Sequence, residues 1–183
     1  FRRVLFRSNV AVAAARLRNK GERVVIIDWD VHHGNGTQDI FYDDPQVMYI
    51  STHQAPHYPG TGAVTEIGAG DARGANINIP LRAGSAGDMM RAAFDEVVLP
   101  SVTDFAPSRV LLSAGFDAHR DDPLADLQLT SSDYVDLTHR VLSVCPNGEL
   151  VAVLEGGYDF QALARSAGAV AAVLAGEIGR AHV

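Results

Sequence analysis

The sequence predicts an α/β fold, an open doubly wound parallel sheet, on three observations. Short apolar runs at Val24–Trp29, Val47–Ser51, Val110–Ser113 and Leu150–Leu154 carry apolar residues on both faces, as strands of a sheet covered on both sides do. Segments of helical periodicity separate them, the alternation expected of strand-helix-strand units. With 183 residues, 47% of them hydrophobic, the chain can fill one sizeable core.

Taken in order, the Ala-rich stretch Asn9–Asn19 has helical spacing, and Lys20-Gly21 stops it before the first strand, Val24–Trp29. Val47–Ser51 is the second strand. Between Ser51 and Pro80 lies a segment rich in Gly, Pro and His, too long for a simple connection and expected to be a functional loop. Asp88–Val102 reads as a helix, Val110–Ser113 as a strand, and Ser131–Val144 as a helix opened by the cap Thr130-x-x-Asp133. Leu150–Leu154 and Gln161–Leu174 complete the set as strand and helix. The ends "FRRVLFRS" (1–8) and "EIGRAHV" (177–183) resemble translated sequencing-adapter DNA, which leaves one domain over 9–176.

A formal net charge of −7, with no Lys/Arg block, offers no electrostatic footprint for nucleic acid or an anionic membrane. The single cysteine, Cys145, excludes an internal disulfide and a thiolate cage, so any metal is held by nitrogen and oxygen; the residue itself reads as a small apolar packer. No signal peptide or membrane-length apolar run is present, and a cytoplasmic location is expected. The glycines of "GAGDARG" have the wrong spacing for a dinucleotide loop.

The strand ends carry the chemistry, where open α/β sheets bind ligands. In "VVIIDWDVHHGNG" the apolar run ends in Asp28, Asp30 and His32, which at i, i+2 and i+4 would share one face. Neighbouring half-buried carboxylates repel, and a bound cation would relieve them. "LLSAGFDAHRDDPL" sets Asp117 beyond the third strand through Gly115, and "VLEGGYDF" sets Tyr158 beyond the fourth through two glycines. Asp30, His32 and Asp117 make a triad of two carboxylates and one imidazole that balances a divalent ion and leaves a position open, as catalytic zinc sites do. Tyr158 offers a phenol donor for a developing oxyanion. The competing readings are solvated strand-end acids with a capping His32, and a Tyr158 that packs over a Gly-rich turn.

The successive segments "DWDVHHGNGTQDIFY", "STHQAPHYPGTG", "NINIPL", "SAGFDAHRDDPL" and "LEGGYD" resemble the motifs of the zinc-dependent histone deacetylase family, in the versions of its class II and bacterial members. The resemblance implies a sheet of the arginase/deacetylase type, truncated at the N-terminus. It implies Zn2+ held by Asp30, His32 and Asp117, with Tyr158 as transition-state donor. It implies structural K+ near Asp28 and Ser51, and a second monovalent site near Phe41 and Val47. Tyr58, Leu124 and Gly157 would line the substrate channel. The implied reaction is hydrolysis of an acetyl-lysine protein or peptide, or of an acetylated small amine.

The family's general base is a His-His pair in a Pro-Gly-His-His type segment, which this sequence lacks. Asp28 and Asn35, which orient that pair in the family, would here be without it. The 183-residue piece is therefore expected to be inactive alone and to expose apolar surface. Arginase-like enzymes use a metal pair bridged by acids at positions that here are Gly34 and His119, so a single metal is expected. Acetylpolyamine deacetylases are the alternative, but their relatives' acidic channel-mouth residue is here Leu124. A non-catalytic acyl-amine-binding module is a further alternative, against which Tyr158 stands. His53, His57 and His119 read as loop or rim residues and His139 as an exposed helix position; Asp121-Asp122-Pro123 is either a turn or part of the rim.

Overall fold

The computed structural model describes residues 8–177. Its elements are α1 (Asn9–Arg18), β1 (Val24–Asp28), α2 (Asn35–Phe41), β2 (Val47–Gln54), β3 (Asn76–Leu81), α3 (Gly87–Ala93), α4 (Leu99–Phe105), β4 (Arg109–Ala114), α5 (Ser131–Ser143), β5 (Leu150–Leu154) and α6 (Phe160–Leu174). The strands form one parallel sheet in the order β3-β2-β1-β4-β5. From β1 the chain steps outward through β2 to β3, then returns to place β4 on the other side of β1. The order reverses between β1 and β4, where open α/β sheets form their ligand crevice.

Alternation along β1 builds two core layers. Val25 and Ile27 face a large cluster with Phe94, Val98 and Val102 of the α3–α4 segment, Leu137 and Val141 of α5, and Val170 of α6. Val24 and Ile26 face a smaller one with Val10, Ala11 and Ala14 of α1 and Phe41 of α2. A side chain of this size contributes roughly 1.5–3 kcal/mol when fully buried.

The helix ends follow from side chains. Ser8 Oγ accepts the Ala11 N–H at the start of α1, and Gly21, at φ +85°, permits the turn after it. The capping box expected at Thr130 and Asp133 opens α5. The helix expected over Asp88–Val102 runs from Gly87 to Phe105, with a π turn at Phe94–Val98 where the Leu99 N–H bonds the Phe94 carbonyl. Pro100 has no N–H for the carbonyl four residues back, and the wider turn absorbs that loss.

Two expectations are corrected and one element is added. The stretch between Ser51 and Pro80 is not all loop: β2 continues to Gln54, and β3 begins at Asn76. A seven-residue helix, α2, follows directly on His33-Gly34. Leu150–Leu154 is a strand, but its faces are not buried: Val151 is 56% and Leu154 58% exposed, because β5 lies at the sheet edge and no layer among the described residues covers those side chains. The adapter-like ends fall almost wholly outside the described residues.

Candidate metal and acyl-transfer site

β1 stops at Asp28 because carboxylates take over the backbone hydrogen bonding. Asp28 Oδ1 accepts the Asp30 N–H at 3.1 Å, Asp30 Oδ1 the His32 N–H at 2.8 Å, and Asp117 Oδ1 the Val31 N–H at 2.9 Å. The other oxygen of Asp30 accepts the Gly156 N–H at 2.8 Å, which ties the turn after β5 to the turn after β1. A Cβ at Gly156 would collide with both Asp117 and Asp30, so that approach requires glycine.

Asp30, His32 and Asp117 each present one ligand atom, all within 4.8 Å of one another. His32 Nδ1 stands 3.2 Å from Asp30 Oδ1 and 3.1 Å from Asp117 Oδ2, straddling the point between β1 and β4 where strand order reverses. Its hydrogen bonds to Asp117 and Asp30 hold the imidazole pKa up at about 10. Burial pushes the Asp117 carboxyl up to about 6, against the lowering effect of His32. Crowded carboxylates gathered on one imidazole in a desolvated crevice are an environment that a divalent cation stabilises. The donor set therefore fits a metal ion.

Asp28 does not project with this group. Extended alternation ends at Asp28, whose Oδ2 instead accepts the Tyr49 hydroxyl at 2.8 Å. Burial, and then the neighbouring Asp30, raise its carboxyl well above the usual range. Ser51 is paired in register with Asp28, and its hydroxyl contacts His53 Nδ1 at 3.0 Å. Phe41 and Val47 are buried together in the α1–α2 layer. Asn35 is exposed at the start of α2.

Tyr158 follows β5 and is 49% exposed; burial raises its phenol, with Asp117, Asp30 and Asp122 adding to the effect. Gly157 before it adopts φ +141° over Phe116 and Leu163. On the opposite rim, His57 stacks on His32 at 5.1 Å between ring centroids, and Tyr58 meets the same ring edge-on at 6.3 Å. Leu124 is exposed near the turn that holds Asp122.

Several polar residues sit elsewhere than expected. His53 is not a rim residue but is buried in β2, its Nε2 donating to the Gly62 carbonyl at 3.1 Å. His119 is also buried, its Nδ1 accepting the Asp121 N–H. His139 is half-buried rather than exposed. Asp122 forms the expected turn, Oδ1 accepting the Leu124 N–H, and does more: its other carboxylate oxygen accepts the backbone N–H of Tyr158 at 2.7 Å. No local pattern announces that contact, since its partner lies 36 residues away. Cys145 packs against the core as expected, and burial pushes its thiol up to about 11.

The chain is 47% identical over 163 residues to "Histone deacetylase 10, chloroplastic" of Oryza sativa subsp. japonica, covering 86% of this chain and 37% of that protein. It is 44% identical over 158 residues to a "Probable deacetylase" of Archaeoglobus fulgidus, covering 84% and 44% respectively. The chain thus spans less than half the length of these relatives. The fold superposes on the crystal structure of the HDA15 HD domain with a TM-score of 0.89 at 43% identity, covering 93% of this chain and 49% of that one. Residues 6–174 match the family described as "Histone deacetylase domain", and the chain belongs to that family.

Proposed function

We propose that this site serves a zinc-dependent amidohydrolase that removes acetyl groups from lysine side chains. The observation that carries the reading is the convergence of Asp30, His32 and Asp117 at the crevice of the sheet, beside the turn that presents Tyr158. Zinc held there would polarise the acyl carbonyl and activate a water for attack. Asp30 and Asp117 supply the charge that balances the ion, and His32 supplies the nitrogen ligand. Tyr158 donates its phenol proton in a hydrogen bond to the oxygen on which charge develops. His57 and Tyr58 wall the approach, Gly157 lets the backbone pass close to the acyl stem, and Leu124 stands at the mouth. Asp28 and Ser51, with nearby carbonyls, would hold a structural potassium ion if one binds, and Phe41 and Val47 would flank a second monovalent cation.

Elemental analysis of the folded chain should find one zinc per molecule, and Asp117→Ala should lose it, because two ligands seldom retain catalytic zinc. Two metals, or none in folded protein, would overturn the reading. The general base lies in a Pro-Gly-His-His segment that this sequence lacks, so the 183-residue chain alone should be nearly inert on acetyl-lysine peptides. Loss of general-base help typically costs about 10²–10⁴-fold in rate. Robust zinc-dependent turnover by the chain alone would refute that assignment of the base.

A further inference from the structure

We infer that Asp122 is a positioning residue for Tyr158: its buried carboxylate clamps the backbone of the turn that aims the phenol, and through the same group it fixes the channel mouth at Leu124. The inference rests on the proposed role of Tyr158. Asp122 is only 6% exposed, and no cation pairs with it among the described residues. Backbone donors surround it instead. Oδ2 accepts the N–H of Tyr158 at 2.7 Å and of Asp159 at 3.3 Å, and Oδ1 accepts the N–H of Leu124 at 3.0 Å. Three backbone N–H donors converging on one carboxyl group fix its orientation and theirs.

The side chain of Tyr158 is half exposed, so packing holds it only in part and the placement of its backbone bears directly on where the phenol points. The turn is gripped at two points. The Gly156 N–H goes to the metal-site carboxylate Asp30, and the Tyr158 N–H goes to Asp122, with Gly157 at φ +141° between them. Asp122 is not needed to cap α6, because Asp159 does so through the Ala162 N–H at 2.7 Å. What Asp122 adds is the fixed relation between the metal-site turn and the phenol.

The test uses the 183-residue chain loaded with zinc, and acetohydroxamate as a carbonyl-bearing zinc ligand. In Asp122→Ala, hydrogen exchange at the Tyr158 and Asp159 amides should accelerate at least about tenfold, while Asp122→Asn, which keeps a carbonyl acceptor, should recover most of the protection. Tyr158→Phe should weaken acetohydroxamate, and Asp122→Ala should weaken it to a similar degree. In the Tyr158→Phe background Asp122→Ala should add less than about a twofold loss, as two residues acting as one unit require. If Asp122→Ala does not fold, Asp122→Ser, whose hydroxyl is too short to reach both amides, replaces it in the same cycle. Unchanged exchange at Tyr158, or an affinity loss that persists in full in the Tyr158→Phe background, would overturn the inference. A wild-type chain that binds no zinc, or an affinity indifferent to Tyr158→Phe, would instead sink the proposed function, and the exchange data would still decide whether Asp122 holds the turn.

Discussion

Under the proposed function, Leu124 is the side chain that would set substrate class. Its N–H is fixed by Asp122 while its side chain is 49% exposed, so it does not pack under a surface loop. An apolar group at the mouth gives no ion pair to the distant ammonium of an acetylated polyamine, whereas the backbone around an acyl-lysine can pack there. A well-placed charge pair is worth on the order of 1–3 kcal/mol in such discrimination. With the general-base segment supplied, the enzyme should prefer an acetyl-lysine peptide over N-acetylputrescine, and Leu124→Glu should shift the ratio of kcat/KM values about tenfold or more toward the polyamine. A polyamine preference in the unmutated protein would contradict this. In the same background Tyr158→Phe should lower kcat far more than it raises KM, since in the proposed role the phenol would act on charge that develops only in the transition state.

Between α2, β2 and β3 lies a polar layer rather than an apolar one. Gln38 Oε1 receives the amides of Asn76 and Asn78 and contacts His33, and Gln38 Nε2 donates to Glu66 at 2.6 Å. Beside it, burial and the neighbouring His33 lower the His53 pKa from near 6.5 to about 4. Between those values the unfolded chain holds a proton that the folded chain refuses, so this group destabilises the fold progressively as pH falls through that window. His53→Gln should reduce the slope of unfolding free energy against pH there by up to about 1.4 kcal/mol per unit. Denaturant titrations that give the same slope for both proteins would refute it. This layer also explains what could be seen in the sequence. β1 and β4 are unbroken apolar runs with their functional acids directly after them, so Asp30, His32 and Asp117 are legible as a group. β3 hides because Asn76 and Asn78 interrupt its apolar run: they face Gln38, to which both donate, while Ile77, Ile79 and Leu81 pack on the large cluster from the other face. α2 hides because it is short and begins at Gly34 without a side-chain cap. The long-range contact of Asp122 is illegible in the sequence because it is a bond to a distant backbone, and the exposure of β5 is illegible because apolar content does not reveal what lies over a strand.

Over the whole molecule, the described residues leave one flank of the sheet open. β5 pairs only with β4 among them, and Val151 and Leu154 on that strand are more than half exposed. An open edge carrying apolar side chains invites strand addition. The chain should therefore self-associate with rising concentration, and Leu154→Lys should suppress this without lowering the midpoint of denaturation. Sedimentation showing equal monomer fractions for the two would disprove it. The opposite flank of β5 has another consequence, in time rather than in space. Asp117 is held to Val31 across 86 positions of the chain and Gly156 to Asp30 across 126. No local element brings any of these together, and such distant closures come late in folding. A chain whose helices have formed but whose β1, β4 and β5 have not yet aligned has no assembled triad to offer, so under the proposed function the moment of metal capture in a refolding experiment would be a clock for the closing of the sheet.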